Sequence, residues 1–336
     1  MLYCESWEMV TISNRSDKPK KTAAELISML KNEKGISFRY MSETDAEIYL
    51  IEKNNYLRTA SYRKNYDKGT KGLCSDKYIH LDFAYLVELS IIDMHLRFLL
   101  LKMCIDIEHA LKVHLLSLLE SKITEDGYQV VADFLNKNTQ VINSIENKVD
   151  TVFTGDLIDK YFNIVYVFDK TNRSAKTKIM SIDCPMWVLV EIISFGDLIK
   201  FYCYVSNRIG YHELDVNILN PIKSLRNACA HNNCLLNNLK KGSTHPPPVI
   251  SRFIASIPSI GKEERTNKLS CRPLFEIVCL LFYYPNIVSE KVKKHRLSEL
   301  KELIYKRMPE KSGYFKLNPL ITTSYEFLKK VVDNIS

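Results

Sequence analysis

Residues 81–120 read LDFAYLVELSIIDMHLRFLLLKMCIDIEHALKVHLLSLLE. Leu86, Leu89, Leu96, Leu99, Leu100, Met103, Ile107, Leu111, Leu115 and Leu118 recur at the spacing of a helix that buries one side. No glycine or proline interrupts them. The stretch predicts a long core helix, with room for one break. Asp93 and Arg97 are four residues apart, so they can pair on its surface. Glu108 comes eleven residues after Arg97 and returns to nearly the same face. The three line one side of an otherwise apolar rod. They can serve as a partly buried salt-bridge network that fixes packing, and Glu108 serves equally well as support for an active site.

The rest of the chain agrees with an all-α fold. Glycine is scarce, with 10 in 336 residues, and alternating strand patterns are few. An apolar share of 46% supplies an ordinary globular core. The longest apolar runs, Leu96–Leu101 and Ile277–Tyr284, are too short to span a bilayer. Glu5 and Glu8 stand near the start without a basic-then-apolar run, so no secretory signal is expected. Nine cysteines stand without any Cys-x-x-Cys pair, the usage of reduced thiols in a cytoplasm. Cys229 and Cys234 flank His231, but not at zinc-site spacing. No Gly-rich phosphate loop, Gly-x-Ser-x-Gly or His-Glu-x-x-His motif is present. The reading assigns no metal and no cofactor.

Outside the long helix, residues 1–20 read as a loose polar start. Helices are expected from Thr22 to a stop at Gly35, over Glu43–Lys53, around Val130–Leu135, from Pro185 onward, and over Leu198–Asn207. Ser194-Phe195-Gly196 interrupts or turns the fourth of these. Residues 121–180 are otherwise irregular, with a polar loop from Asp169 to Lys178 that carries Asn172, Arg173 and Lys176. Gly242–Ile260 reads as a loop around Pro246-Pro247-Pro248. Arg272–Tyr284 and Glu290–Lys306 are the last strong helices. The pattern divides into an N-terminal helical and basic-aromatic segment (1–75), a helical core (76–240) and a C-terminal helical extension (241–336).

Two stretches suit nucleic acid. Between Tyr56 and Tyr66, Tyr56, Arg58, Tyr62, Arg63 and Lys64 combine rings that stack on bases with cations that hold phosphates. The same residues can cap a helical core. A second run, including Lys293, Lys294 and Arg296, is basic enough to track RNA and equally reads as a solvated helix face. The net charge of +8 is moderate.

The chemistry concentrates in Leu225-Arg226-Asn227-Ala228-Cys229-Ala230-His231-Asn232-Asn233. Imidazole moves protons near neutral pH, and guanidinium grips phosphate with a permanent planar fork. A site that cleaves a phosphodiester without a metal needs about this set, one group to shuttle protons and one to hold developing charge. Clusters of Asn, Cys and His also occur at ordinary helix ends, where they cap backbone groups. On a helix from about Pro221 to Leu236, Asn227 and His231 share a face, so Asn227 can hold the His231 ring. Arg226 and His231 stand about 140° apart. Two copies meeting about a symmetry axis can complete one site.

Four pieces occur in a fixed order: Ile92-Asp93-x-x-Leu96-Arg97, Ile107-Glu108, Met186-Trp187 with Ser194-Phe195-Gly196-Asp197-Leu198, and Leu225-Arg226-Asn227-x-x-Ala230-His231. Over about residues 22–240 the chain resembles the Abi-like (AbiD/AbiF) family of bacterial abortive-infection proteins, within the HEPN superfamily of helical RNA-acting proteins. The resemblance implies a HEPN-like bundle and a homodimer. It also implies metal-independent endoribonuclease activity in phage defence or a toxin–antitoxin pair. Arg226 and His231 would act on the phosphate, with Asn227 beside them and Glu108, Asp93 and Arg97 in support. Implied partners are an RNA substrate, a noncoding RNA and an antitoxin, with no membrane. The alternative is a protein that holds a structured noncoding RNA without cutting it. The family often places a second His or Arg just after the motif histidine, where this chain has Asn232 and Asn233.

Overall fold

The computed structural model describes residues 19–72, 75–121, 125–169, 174–211 and 215–335. In chain order its helices are α1 (Ala23–Asn32), α2 (Glu43–Ile48), α3 (Tyr56–Ser61), α4 (Phe83–Glu120), α5 (Gln129–Lys137), α6 (Thr139–Glu146) and α7 (Gly155–Tyr161). Strands β1 (Phe162–Asp169) and β2 (Ser174–Ile182) follow. Then come α8 (Met186–Ile192), α9 (Phe195–Ile209), α10 (Val216–Ala230), α11 (Pro248–Ala255), α12 (Lys262–Ser270), α13 (Arg272–Ile287), α14 (Glu290–Glu302) and α15 (Pro319–Asp333). The fold is mostly α-helical, as the long apolar period requires. The chain divides into two compact units, Met1–Ile91 and Ile92–Ser336.

In the first unit, Thr22 opens α1 with a reciprocal capping box: its hydroxyl accepts from the Glu25 amide, and Glu25 accepts from the Thr22 amide. Gly35 follows at φ +70, the left-handed turn that ends the helix. Buried Asp82 gathers the Ser37 hydroxyl (2.8 Å) and the amides of Arg39 (2.7 Å) and Ala84 (3.0 Å), which fixes the start of α4. The helix expected over Glu43–Lys53 is α2 continued by a π-helical turn, Tyr49–Lys53.

In the second unit, Leu100, Met103, Cys104, Ile107, Leu111 and Leu115 of α4 are fully buried. Each large apolar side chain in such a stripe contributes about 1.5–3 kcal/mol. α10 packs against α13 and α9. Ser194 begins α9 as a side-chain cap on Asp197, so Ser194-Phe195-Gly196 separates α8 from α9.

Three expectations are corrected. Residues 162–182 form an antiparallel hairpin, β1 against β2, instead of irregular chain with a polar loop. Asn172 and Arg173 lie outside the described residues, and Lys176 sits within β2. The stretch Gly242–Ile260 contains α11, which uses Pro248 in its first turn, where no amide partner is needed. The motif helix ends at Ala230, not Leu236.

Candidate active site

The end of α10 is a complete Schellman turn. Asn232 adopts φ +57, its amide donates to the Cys229 carbonyl (3.0 Å), and the Asn233 amide donates to Ala228 (2.8 Å). Asparagine tolerates this left-handed conformation better than other residues with a side chain, apart from glycine's freedom. His231 is therefore the C-cap, with its backbone amide on the Asn227 carbonyl (2.9 Å). Its side chain is exposed, and among the described residues no hydrogen bond fixes the ring.

Arg226 faces α4. Its Nη1 donates to the Asn227 amide oxygen at 3.2 Å, and its Nη2 lies 3.6 Å from Glu108 Oε2. The second distance is an ion pair too long for a hydrogen bond. Arg226 Nε is buried without a hydrogen-bond partner among the described residues. The guanidinium remains about one-third exposed, at 34%. It is aimed by two loose contacts and keeps unused donors. Other arginines differ. Arg208 is clamped by Glu125 (2.6 Å) and Asp133 (2.7 Å), and Arg296 by Asp106 and Glu299 (both 2.8 Å). Those guanidinium groups are clamped by close carboxylates; that of Arg226 is not.

Asp93 and Arg97 form the expected i,i+4 ion pair, and both are buried. Asp93 has a second task that no local pattern announces. Its other oxygen accepts the Leu236 amide at 2.9 Å. The buried carboxylate thus pins the chain just beyond the motif to α4.

Cys104 and Cys229 lie in the seam between these arginines. Burial pushes the Cys229 thiol up to about 12, with Arg97 opposing the shift. Burial and neighbouring Cys229 push Cys104 up well above the usual thiol range, with Arg226 opposing. Both remain neutral thiols at physiological pH, so neither is a thiolate nucleophile.

Asn227 reaches Arg226 with its side chain and His231 only through its backbone. This differs from the expected support of the imidazole by the Asn227 amide. Glu108 stands where the sequence put it, beside the motif arginine. Among the described residues no group of three His, Cys, Asp or Glu side chains is placed to hold a metal ion.

The two basic stretches are largely structural. Tyr62 is 0% exposed, so its ring is core and cannot stack on a base. Arg63 lies 5.7 Å from the ring centres of both Tyr56 and Tyr78 and donates to the Ala60 carbonyl (2.9 Å). It is an internal cation–π brace. Arg58 is half-buried and Lys64 exposed. In α14, Lys293 pairs with Glu290 and Arg296 is clamped as above; Lys294 is exposed.

This helical protein thus presents a glutamate-backed arginine and an exposed histidine at one helix end. The family model described as Abi-like protein matches residues 49–237, more than half of the chain. The chain belongs to the Abi-like family, whose name places it among abortive-infection proteins of phage defence. The matched span includes Asp93, Arg97, Glu108, Arg226, Asn227 and His231, and stops before α11. No curated protein and no solved structure matches the chain. Among the described residues no helix is long and apolar enough to cross a membrane.

Proposed function

We propose that this Abi-like protein is a HEPN-type endoribonuclease that cuts RNA by Arg/His chemistry and needs no metal for the chemical step. The carrying observation is Arg226: oriented by Glu108 and Asn227, partly exposed, and with donors to spare, one turn before exposed His231. His231 takes the proton from an RNA 2′-hydroxyl. The 2′-oxygen attacks the adjacent phosphorus, Arg226 holds the extra charge of the phosphorane, and the 5′-oxygen leaves with the proton that His231 gives back. The products are a 2′,3′-cyclic phosphate and a 5′-hydroxyl. DNA lacks the attacking group and is not a substrate.

The active form is a dimer. Phe98 and Ile105 form an exposed apolar pair along α4. At 100° per residue this pair lies beside the Glu108 face, where a second copy would bring another Arg226–His231 set. The unfixed His231 ring gives specific support to the other reading, a protein that grips a structured RNA without cutting it. The test is incubation of labelled RNA with wild-type protein and His231→Ala, each with and without chelator. Chelator-resistant cleavage that yields cyclic-phosphate ends and vanishes in the variant supports the nuclease. A gel shift without products supports the binder.

A further inference from the structure

A cleft of about 760 Å³ opens on another side of α4, within the range of about 300–1,000 Å³ usual for ligand sites. Asp106, His109, Val113, His114 and Ser117 line it at helical spacing. Glu108 projects at least about 100° around the axis from each of them. The cleft is therefore separate from the Arg226 cluster.

Its walls are aromatic. His114 stacks on Tyr202 with ring centres 5.9 Å apart and planes at 22°, and meets Tyr211 edge-on at 5.7 Å. His114 Nδ1 is hydrogen-bonded to the buried Tyr202 hydroxyl, which locks the floor. Tyr283 of α13 completes the lining and is half-buried. Burial pushes its hydroxyl up to about 12, with Tyr211 adding to the shift, so this ring carries no charge at neutral pH.

Among the described residues no lysine or arginine lines the cleft. The carboxylate among them, Asp106, is engaged by the Tyr284 hydroxyl (2.7 Å) and Arg296 (2.8 Å). What remains is ring surface, small hydroxyls and the Asn286 amide at the rim. Asn286 Nδ2 donates to the Phe282 carbonyl (3.3 Å), which leaves its oxygen as the acceptor the rim presents.

We propose that this cleft binds a single unstacked nucleobase, with its ring against the Tyr and His walls and an exocyclic amino group donating to Asn286. Adenine, cytosine and guanine carry such an amino group; uracil does not. The base arrives on an RNA strand or as a free nucleoside.

The test uses the fluorescent adenine analogue 2-aminopurine, which loses emission on stacking. The full chain is titrated into 2-aminopurine riboside and into a short 2′-O-methyl RNA that carries one 2-aminopurine. That RNA has no attacking hydroxyl, so the outcome does not depend on whether the protein cleaves. Quenching is expected in the strand. Quenching of the riboside as well would show that a free base suffices. An abasic strand should bind about 5- to 100-fold more weakly, the share that base–aromatic stacking contributes. Tyr283→Ala, and Ser117→Trp, which plugs the cleft from an exposed helix position, should each abolish quenching. Adenosine should displace the probe and uridine should not. The proposal fails if neither probe is quenched, if both variants quench like wild type, or if uridine competes as well as adenosine.

Discussion

Arg226 and His231 are five residues apart, which sets them about 140° around and about 7.5 Å along α10. Arg226 is turned onto Glu108, while His231 caps the helix and projects into solvent. If the arginine of one protomer acts with the histidine of its partner, two inactive variants should rescue each other. Arg226→Ala and His231→Ala are co-expressed with different tags, and the mixed dimer is isolated by both tags in turn. Pure His231→Ala should lose about 10²–10⁴-fold in cleavage rate, the usual worth of a proton-transfer group, and pure Arg226→Ala about 10²–10³-fold, the worth of a donor that holds developing charge. The mixed dimer holds one site with both groups and one with neither, so it should recover about half of wild-type activity. The assay is the initial rate of cyclic-phosphate formation on a labelled RNA in chelator. If the mixed dimer stays as inactive as its parents, the composite site is wrong, and each protomer uses its own pair.

Other perturbations separate structure from chemistry. Asp93→Asn leaves Arg97 buried without its counter-charge and should cost about 3–5 kcal/mol in urea unfolding. The apolar pair Asp93→Leu with Arg97→Met should recover most of this, except about 1–3 kcal/mol for the unpaired Leu236 amide. Asn232→His would supply the second basic residue common after the family's motif histidine, but in a left-handed conformation. It should destabilise by about 1 kcal/mol, whereas Asn232→Gly should not, as read by thermal unfolding. Burial pushes Cys184 and Cys229 from 9.0 up to about 12. The unfolded thiols ionise above about 9 while the folded ones stay protonated, so their stabilisation is intact below that pH. It is lost between 9 and 12 at about 1.4 kcal/mol per pH unit for each thiol, measurable by urea unfolding at pH 8 and pH 10. Arg296→Ala should lower stability by about 1–3 kcal/mol through the partners it abandons, as read by urea unfolding.

The long helix was readable because its apolar residues keep one period for forty positions, and a helix of that length has few alternatives. The hairpin was not. β1 reads Phe162-Asn163-Ile164-Val165-Tyr166-Val167-Phe168-Asp169, with apolar residues on both faces and most of them exposed, so no in–out alternation marks it. The end of α10 was misplaced because asparagine, not glycine, fills the left-handed position. In the site, Asp93–Arg97 and Arg226–Glu108 follow from helical spacing and motif order. The bond from Asp93 to Leu236 joins residues 143 apart and needs the folded chain. Tyr62 and Arg296 were misleading for one reason: a side chain's type states what it can bind, and only packing decides whether its ring or fork is free. The cleft tyrosines come from α9, the chain just after it, and α13, so no local pattern announces them.

The Asp93–Leu236 bond also constrains how the chain length can vary. The Schellman turn fixes residues through Asn233, and the Leu236 amide is fixed on α4. Only Cys234 and Leu235 connect these two anchors. An added residue there has no slack to take up and must break the helix cap or release the buried carboxylate. The stretch from Lys240 to Pro247, free of helix and strand, can lengthen without touching either anchor. Natural or engineered insertions should therefore be excluded immediately after the motif and tolerated a few residues later.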